Sequence, residues 1–212
     1  MRAFPVTAGL AALLLAPAVA GALGSALAWP LVLDRPGVAS FLLCHGAHLS
    51  LRHLAFSGGA TVLMAAALER RLGSARLAAL LLGLAVVVSA AVLGFERGAL
   101  ADYQGASGIG YGLAAALAVR ERRAVAVPVL LLLAGKVGFE VATGRCLVEV
   151  SLAAAGAVPV ASAHLAGLAA GAALGASLQR APEPAPATES WSFRETSRRR
   201  AFMSSVEGKA FS

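Results

Sequence analysis

Long apolar stretches separated by short clusters of charge leave this 212-residue chain very few folding solutions. Hydrophobic residues make up 58% of it, and the mean hydropathy is +0.77. A soluble domain of this length would leave far too much apolar surface in water. In lipid, every backbone polar group must be satisfied internally, and runs of this length suit helices. The pattern therefore predicts an all-α polytopic membrane protein, a six-helix bundle. Its spans are expected near 6–28, 49–68, 77–95, 106–119, 124–141 and 160–178. The fourth is short for a hydrocarbon core of about 30 Å, so its neighbours are expected to shelter it. The first has an alternative reading as a signal peptide, with Arg2 ahead of an apolar run containing Ala16-Pro17-Ala18. An uncleaved span is preferred, because no convincing cleavage site precedes Trp29.

The net charge of +7 does not point to nucleic acid. The cations flank the spans, with no stacking or groove-reading motif among them. They fit lipid headgroups and topology control instead. One side collects Arg2, Arg70, Arg71, Arg76, Arg120, Arg122, Arg123 and the basic tail, 13 of the 18 Lys and Arg. The other collects only Arg35, Arg52, Arg97 and Arg145, and Lys136 lies within a span. The bias predicts both termini in the cytoplasm. It also places the starts of spans four and six together near the outer face.

Residues 1–180 read as one membrane domain. Residues 181–187, Ala-Pro-Glu-Pro-Ala-Pro-Ala, read as an extended linker, and the rest of 181–212 as a disordered basic cytoplasmic tail. Cys44 and Cys146 both fall on the outer side, where a disulfide is possible. Two unpaired thiols are the simpler expectation.

Two polar residues stand about one turn inside apolar segments: Ser107 in Gly105-Ala106-Ser107-Gly108, and His164 in Ala163-His164-Leu165-Ala166-Gly167. Polar groups at such depth are costly and usually mark function. Each adjoins a stripe of small residues at a spacing of four. One is Gly108, Gly112 and Ala116; the other is Ala163, Gly167, Gly171 and Gly175. Such stripes let helix backbones approach closely. If the two stripes face each other, the hydroxyl and the imidazole meet at the rim.

A serine is a poor nucleophile until a base takes its proton, and a neutral imidazole within hydrogen-bond reach can do so. No acid is well placed to orient His164, and Glu140 and Glu149 are candidates only by sequence proximity, so a Ser–His dyad is the economical proposal. Oxyanion donors would come from the backbone N–H of Ser107 at a helix start and from the start of span two, with His45, His48, His53 and Ser57; His53 and Ser57 are four apart on one face. His45, His48 and His53 invite a metal reading. No acidic residue or His-Glu-x-x-His pattern accompanies them, so neither metal nor cofactor is expected. His45 and His48 read better as structural imidazoles. Lys136 and Glu140, four apart in span five, read as mutual neutralisation of two expensive charges; an ion pathway is the alternative.

Three segments, in order, resemble the rhomboid intramembrane serine proteases over roughly residues 29–178. They are His48-Leu49-Ser50-Leu51-Arg52-His53 continuing into Leu68-Glu69-Arg70-Arg71-Leu72-Gly73; Gly105-Ala106-Ser107-Gly108-Ile109-Gly110-Tyr111; and Ala163-His164-Leu165-Ala166-Gly167 with Gly171. The resemblance implies Ser107 as nucleophile, His164 as general base, His53 at the oxyanion site and Tyr111 packed on the His164 ring. The family usually has Asn where this chain has Ser57, which weakens side-chain oxyanion support. Leu33-Asp34-Arg35, Lys136-Val137-Gly138-Phe139-Glu140 and the lack of a seventh span resemble the rhombosortase branch. That branch implies a bacterial inner membrane. It also implies membrane-anchored protein substrates ending in Gly-Gly sorting tails. Two other readings compete: an inactive rhomboid-like protein that binds client helices, and a small proton-coupled transporter using Lys136 and Glu140.

Overall fold

The structure is a computed structural model, and it describes residues 3–22, 30–48, 50–121, 123–145 and 159–180. The 181–212 tail and Cys146 lie outside the described residues, as does the stretch 23–28 at the end of the expected first span.

Seven helices account for nearly all the described secondary structure. Helix α1 spans Pro5–Ala22. A short helix α2, Val38–Leu43, runs into a 3-10 turn, Cys44–Gly46. Helix α3 covers Leu51–Leu72. Helix α4 is Ser74–Glu96, α5 is Ser107–Ala118, α6 is Arg123–Thr143 and α7 is Ala161–Arg180. Four of these, α3, α4, α6 and α7, are long and apolar enough to cross a membrane; α1 and α5 are shorter apolar helices. Leu63, Phe95, Leu131 and Leu132 are exposed on the outside, as suits a surface that meets lipid rather than water.

The ends of the helices follow from local chemistry. Ser50, with extended backbone, caps α3: its Oγ accepts from the His53 N–H at 3.1 Å. Gly73 separates α3 from α4 at φ +79°, a conformation that suits glycine, and its N–H closes on the Glu69 carbonyl at 2.9 Å. Residues 54–58 of α3 wind as a π turn, which the apolar periodicity did not announce.

Helix α5 is the core of the bundle. Its twelve residues rise about 18 Å, and Gly108, Ile109, Gly110, Gly112, Leu113, Ala115, Ala116 and Ala118 are all buried. It packs against α3, α4 and α6. One buried cluster joins Leu68, Leu77, Leu80, Leu84 and Leu113. A second, of Leu31, Leu33, Cys44, Val88, Val92, Tyr103 and Ala163, underlies the start of α5.

The small-residue stripes do face each other. A Cβ on Gly167 would collide with the Gly108 carbonyl, and one on Gly171 with the Gly112 carbonyl. A Cβ on Gly175 would come within 2.8 Å of the Ala116 Cα. Helices α5 and α7 therefore touch backbone to backbone.

Two very short strands qualify the all-α expectation. Leu31–Val32 pairs antiparallel with Asp102–Tyr103, matching Leu31 with Tyr103 and Val32 with Asp102. The segment before Ser107 is thus pinned to the segment after α1.

Candidate active site

The turn that presents Ser107 is held from several directions. The Leu33 N–H donates to the Ala101 carbonyl at 3.1 Å, and the Gly105 N–H to the Cys44 carbonyl at 3.0 Å. The Tyr103 hydroxyl donates to the Gly105 carbonyl at 3.2 Å. Gly105 itself sits at φ +127°, where side chains are strained. A Cβ there would also stand 3.0 Å from the His53 ring. Glycine is thus required on both counts, and His53 lies directly beside the serine turn.

Ser107 is the first residue of α5. His164 lies in the first turn of α7, and its N–H reaches the Val160 carbonyl at 3.3 Å. The close approach of α5 and α7 brings the two side chains together: His164 Nε2 is 2.9 Å from Ser107 Oγ. The Tyr111 ring, one turn further along α5, stacks on the imidazole with centroids 4.4 Å apart and planes 25° apart. Ser107, His164, Tyr111, Gly105 and His53 thus form one constellation.

Glu140, a candidate by sequence proximity alone, is brought to the imidazole by the packing. Its Oε2 is 2.7 Å from His164 Nδ1, and its side chain is fully buried. Its Oε1 pairs with Lys136 of the same helix. The Lys136 ammonium in turn lies 5.1 Å from the centre of the Tyr111 ring. The i, i+4 pair is real, but neutralisation is only half of its environment. The visible signal was two charges inside one span, which in sequence read as mutual neutralisation with an ion pathway as the alternative.

Ser57 follows His53 on the π turn of α3. Its Oγ is buried without a hydrogen-bond partner among the described residues, as are His53 Nδ1 and His48 Nε2. The His48 and His53 rings meet edge to face, centroids 5.1 Å apart. These unspent polar atoms lie in the segment expected to supply oxyanion donors. At the head of α5, the N–H groups of Ser107, Gly108 and Ile109 precede the first intrahelical bond, which runs from Gly110 to Ala106. His48 Nδ1 bonds its own backbone, at the Gly46 carbonyl 3.1 Å away. Burial, with the charge of His53 adding to it, pushes its pKa down to about 4, so it is neutral near pH 7.

His45 is structural. Its Nε2 lies 3.0 Å from Ser89 Oγ and 3.3 Å from the Ala85 carbonyl. Ser89 spends its own proton on the Phe41 carbonyl, so His45 Nε2 is the donor. Burial holds its pKa below the ordinary value. Cys44 is a free, buried thiol, pushed up to about 11 by desolvation.

The sequence pattern of the rhomboid domain matches residues 35–181, most of the chain and all of these residues. The protein belongs to the rhomboid family. It is accordingly a multi-pass helical membrane protein of an intramembrane protease family whose members are generally serine proteases, some of them inactive. No curated protein matches the chain.

Proposed function

We propose that this rhomboid is an active intramembrane serine endopeptidase in which Ser107 is the nucleophile and His164 the general base. The observation that carries the reading is the 2.9 Å contact between Ser107 Oγ and His164 Nε2 at the matched ends of two helices. Ser107 Oγ bonds to the scissile carbonyl carbon while its proton passes to Nε2, and the carbonyl π pair moves onto oxygen. Collapse of the tetrahedral species breaks the C–N bond, and Nε2 returns the proton to the leaving amine. Water then resolves the acyl-enzyme by the same steps. The N–H of Ser107 at the head of α5 and the side chains of His53 and Ser57 are the proposed oxyanion donors. The stacked Tyr111 ring keeps the imidazole in plane.

The substrates are membrane-anchored proteins. The scissile bond is near a transmembrane helix that unwinds locally, because a carbonyl within a helix is shielded. The matches of Leu33-Asp34-Arg35 and Lys136-Val137-Gly138-Phe139-Glu140 favour the rhombosortase branch and therefore C-terminal Gly-Gly sorting tails. The charge bias supports six spans in a bacterial inner membrane, with both termini cytoplasmic and the site near the periplasmic face. Co-expression with a Gly-Gly-tailed reporter tests the reading. Processing is expected with the wild type and lost with Ser107→Ala and with His164→Ala; unchanged processing in both variants refutes the mechanism.

A further inference from the structure

We propose that Glu140 converts the Ser107–His164 pair into a triad, acting as a positioning residue whose proton preference is set by Lys136. The inference rests on the serine protease reading above and adds a residue to it. Three observations carry it. First, the carboxylate spans two helices: Oε2 meets His164 Nδ1 at 2.7 Å, and Oε1 meets Lys136. Neutralising Lys136 needs only one oxygen on the same helix; the second is given to the imidazole of α7. Second, the Glu140 side chain is fully buried, and His164 is nearly so. Both carboxylate oxygens are held, so the group has no freedom to turn away. Third, Tyr111 closes the circuit, stacked on His164 and facing the Lys136 ammonium.

Donor and acceptor rules then fix the tautomer. An ammonium only donates, and an ionised carboxylate only accepts. With Lys136 donating to Oε1, Glu140 is held ionised, and His164 Nδ1 must carry the proton that Oε2 accepts. The lone pair on Nε2 is left facing Ser107, which is the arrangement general-base catalysis requires. When Nε2 takes the serine proton, the imidazolium forms against a fixed negative charge. Glu140 takes no proton at any step.

The test reads the full-length protein in detergent with a fluorophosphonate probe, separating the labelling rate kinact from the binding constant KI. In Glu140→Gln, Lys136 still demands an oxygen, so the amide NH2 is turned toward Nδ1. The imidazole must then carry its proton on Nε2, facing the serine. The expected result is a fall in kinact of about 10²–10⁴-fold in the folded protein, with KI unchanged. Adding Lys136→Met frees the amide to turn over, and the double variant is expected to regain about tenfold in kinact. A Glu140→Gln protein within twofold of the wild type in kinact overturns the triad, and so does a folded double variant with no regain over a folded Glu140→Gln. If Glu140→Gln alone does not fold, the uncharged double variant is read against the wild type. A kinact at least tenfold lower then supports the triad, and one within twofold overturns it. A wild type that the probe does not label at Ser107 refutes the protease reading itself.

Discussion

Two buried carboxylates, at Glu69 and Glu140, are each almost completely removed from solvent, yet their partners differ in kind. Glu69, at the far end of α3, is surrounded by fixed neutral donors. Its Oε1 accepts from the Val6 N–H at 3.1 Å and from Ser74 Oγ at 2.7 Å; its Oε2 accepts from the Thr7 N–H at 2.9 Å and from the Thr7 hydroxyl. These donors sit at the starts of α1 and α4, where helix N–H groups are unpaired and the dipole is positive. Glu140 is held by an ammonium and an imidazole. The first carboxylate ties three helices together. The second faces a group that must gain and lose a proton. Burial alone does not distinguish a staple from a working residue; the proton chemistry of the partners does.

Loss of the close approach between α5 and α7 should have the largest effect, because it supports both ends. Gly171→Leu must displace the Gly112 carbonyl, so little folded protein is expected by size-exclusion chromatography. Gly135→Leu on α6, where a Cβ meets nothing within 4 Å, is the control and should fold normally. Equal yields from the two would show that the stripe does not hold the helices.

The contrast between the carboxylates comes next. Glu140→Gln is expected to lose labelling rate in its folded fraction, beyond any loss of midpoint from the Lys136 charge left without its carboxylate. Glu69→Ala should lose stability alone, with kinact of the folded fraction within about twofold of the wild type. Leaving a buried donor unsatisfied costs about 1–3 kcal/mol, and each kcal/mol lowers the midpoint by roughly 2–4 °C in a chain of this size. Labelling rates and thermal melts of the two variants side by side decide the matter. The comparison fails if both lose stability and neither loses rate.

A smaller change is expected at the Tyr111 ring. Tyr111→Leu keeps apolar bulk on α5 and removes the stacking surface under His164. Such ring pairs are worth about 0.5–1.5 kcal/mol, so kinact should fall by about 2–10-fold with the midpoint nearly unchanged. A wild-type rate would assign all orientation of the imidazole to Glu140.

The smallest expected effect concerns Cys44. In a Cys146→Ser background, its buried and fully protonated thiol should resist maleimide at pH 8 until the protein is denatured. Rapid alkylation of the native protein would mean that the packing beneath the serine turn is open.

Apolar run length alone determined the helical membrane class and the approximate position of each long helix. Ser107 and His164 were legible because each sits at a helix start beside a glycine stripe, and such periodicity survives in one dimension. The meeting of those stripes followed from spacing, and the Tyr111 stack from resemblance. The π turn in α3, the clamp of residues 31–32 on 102–103, the role of Glu69 and the contact of Glu140 with His164 did not. Each depends on how one helix is rotated against another, or on which backbone happens to lie alongside. Glu140 looked complete with Lys136 on its own helix. Only the packing of α6 against α5 and α7 decided that its second oxygen belongs to the imidazole, because a carboxylate in so dry an interior must be satisfied by whatever donor the neighbouring helix presents.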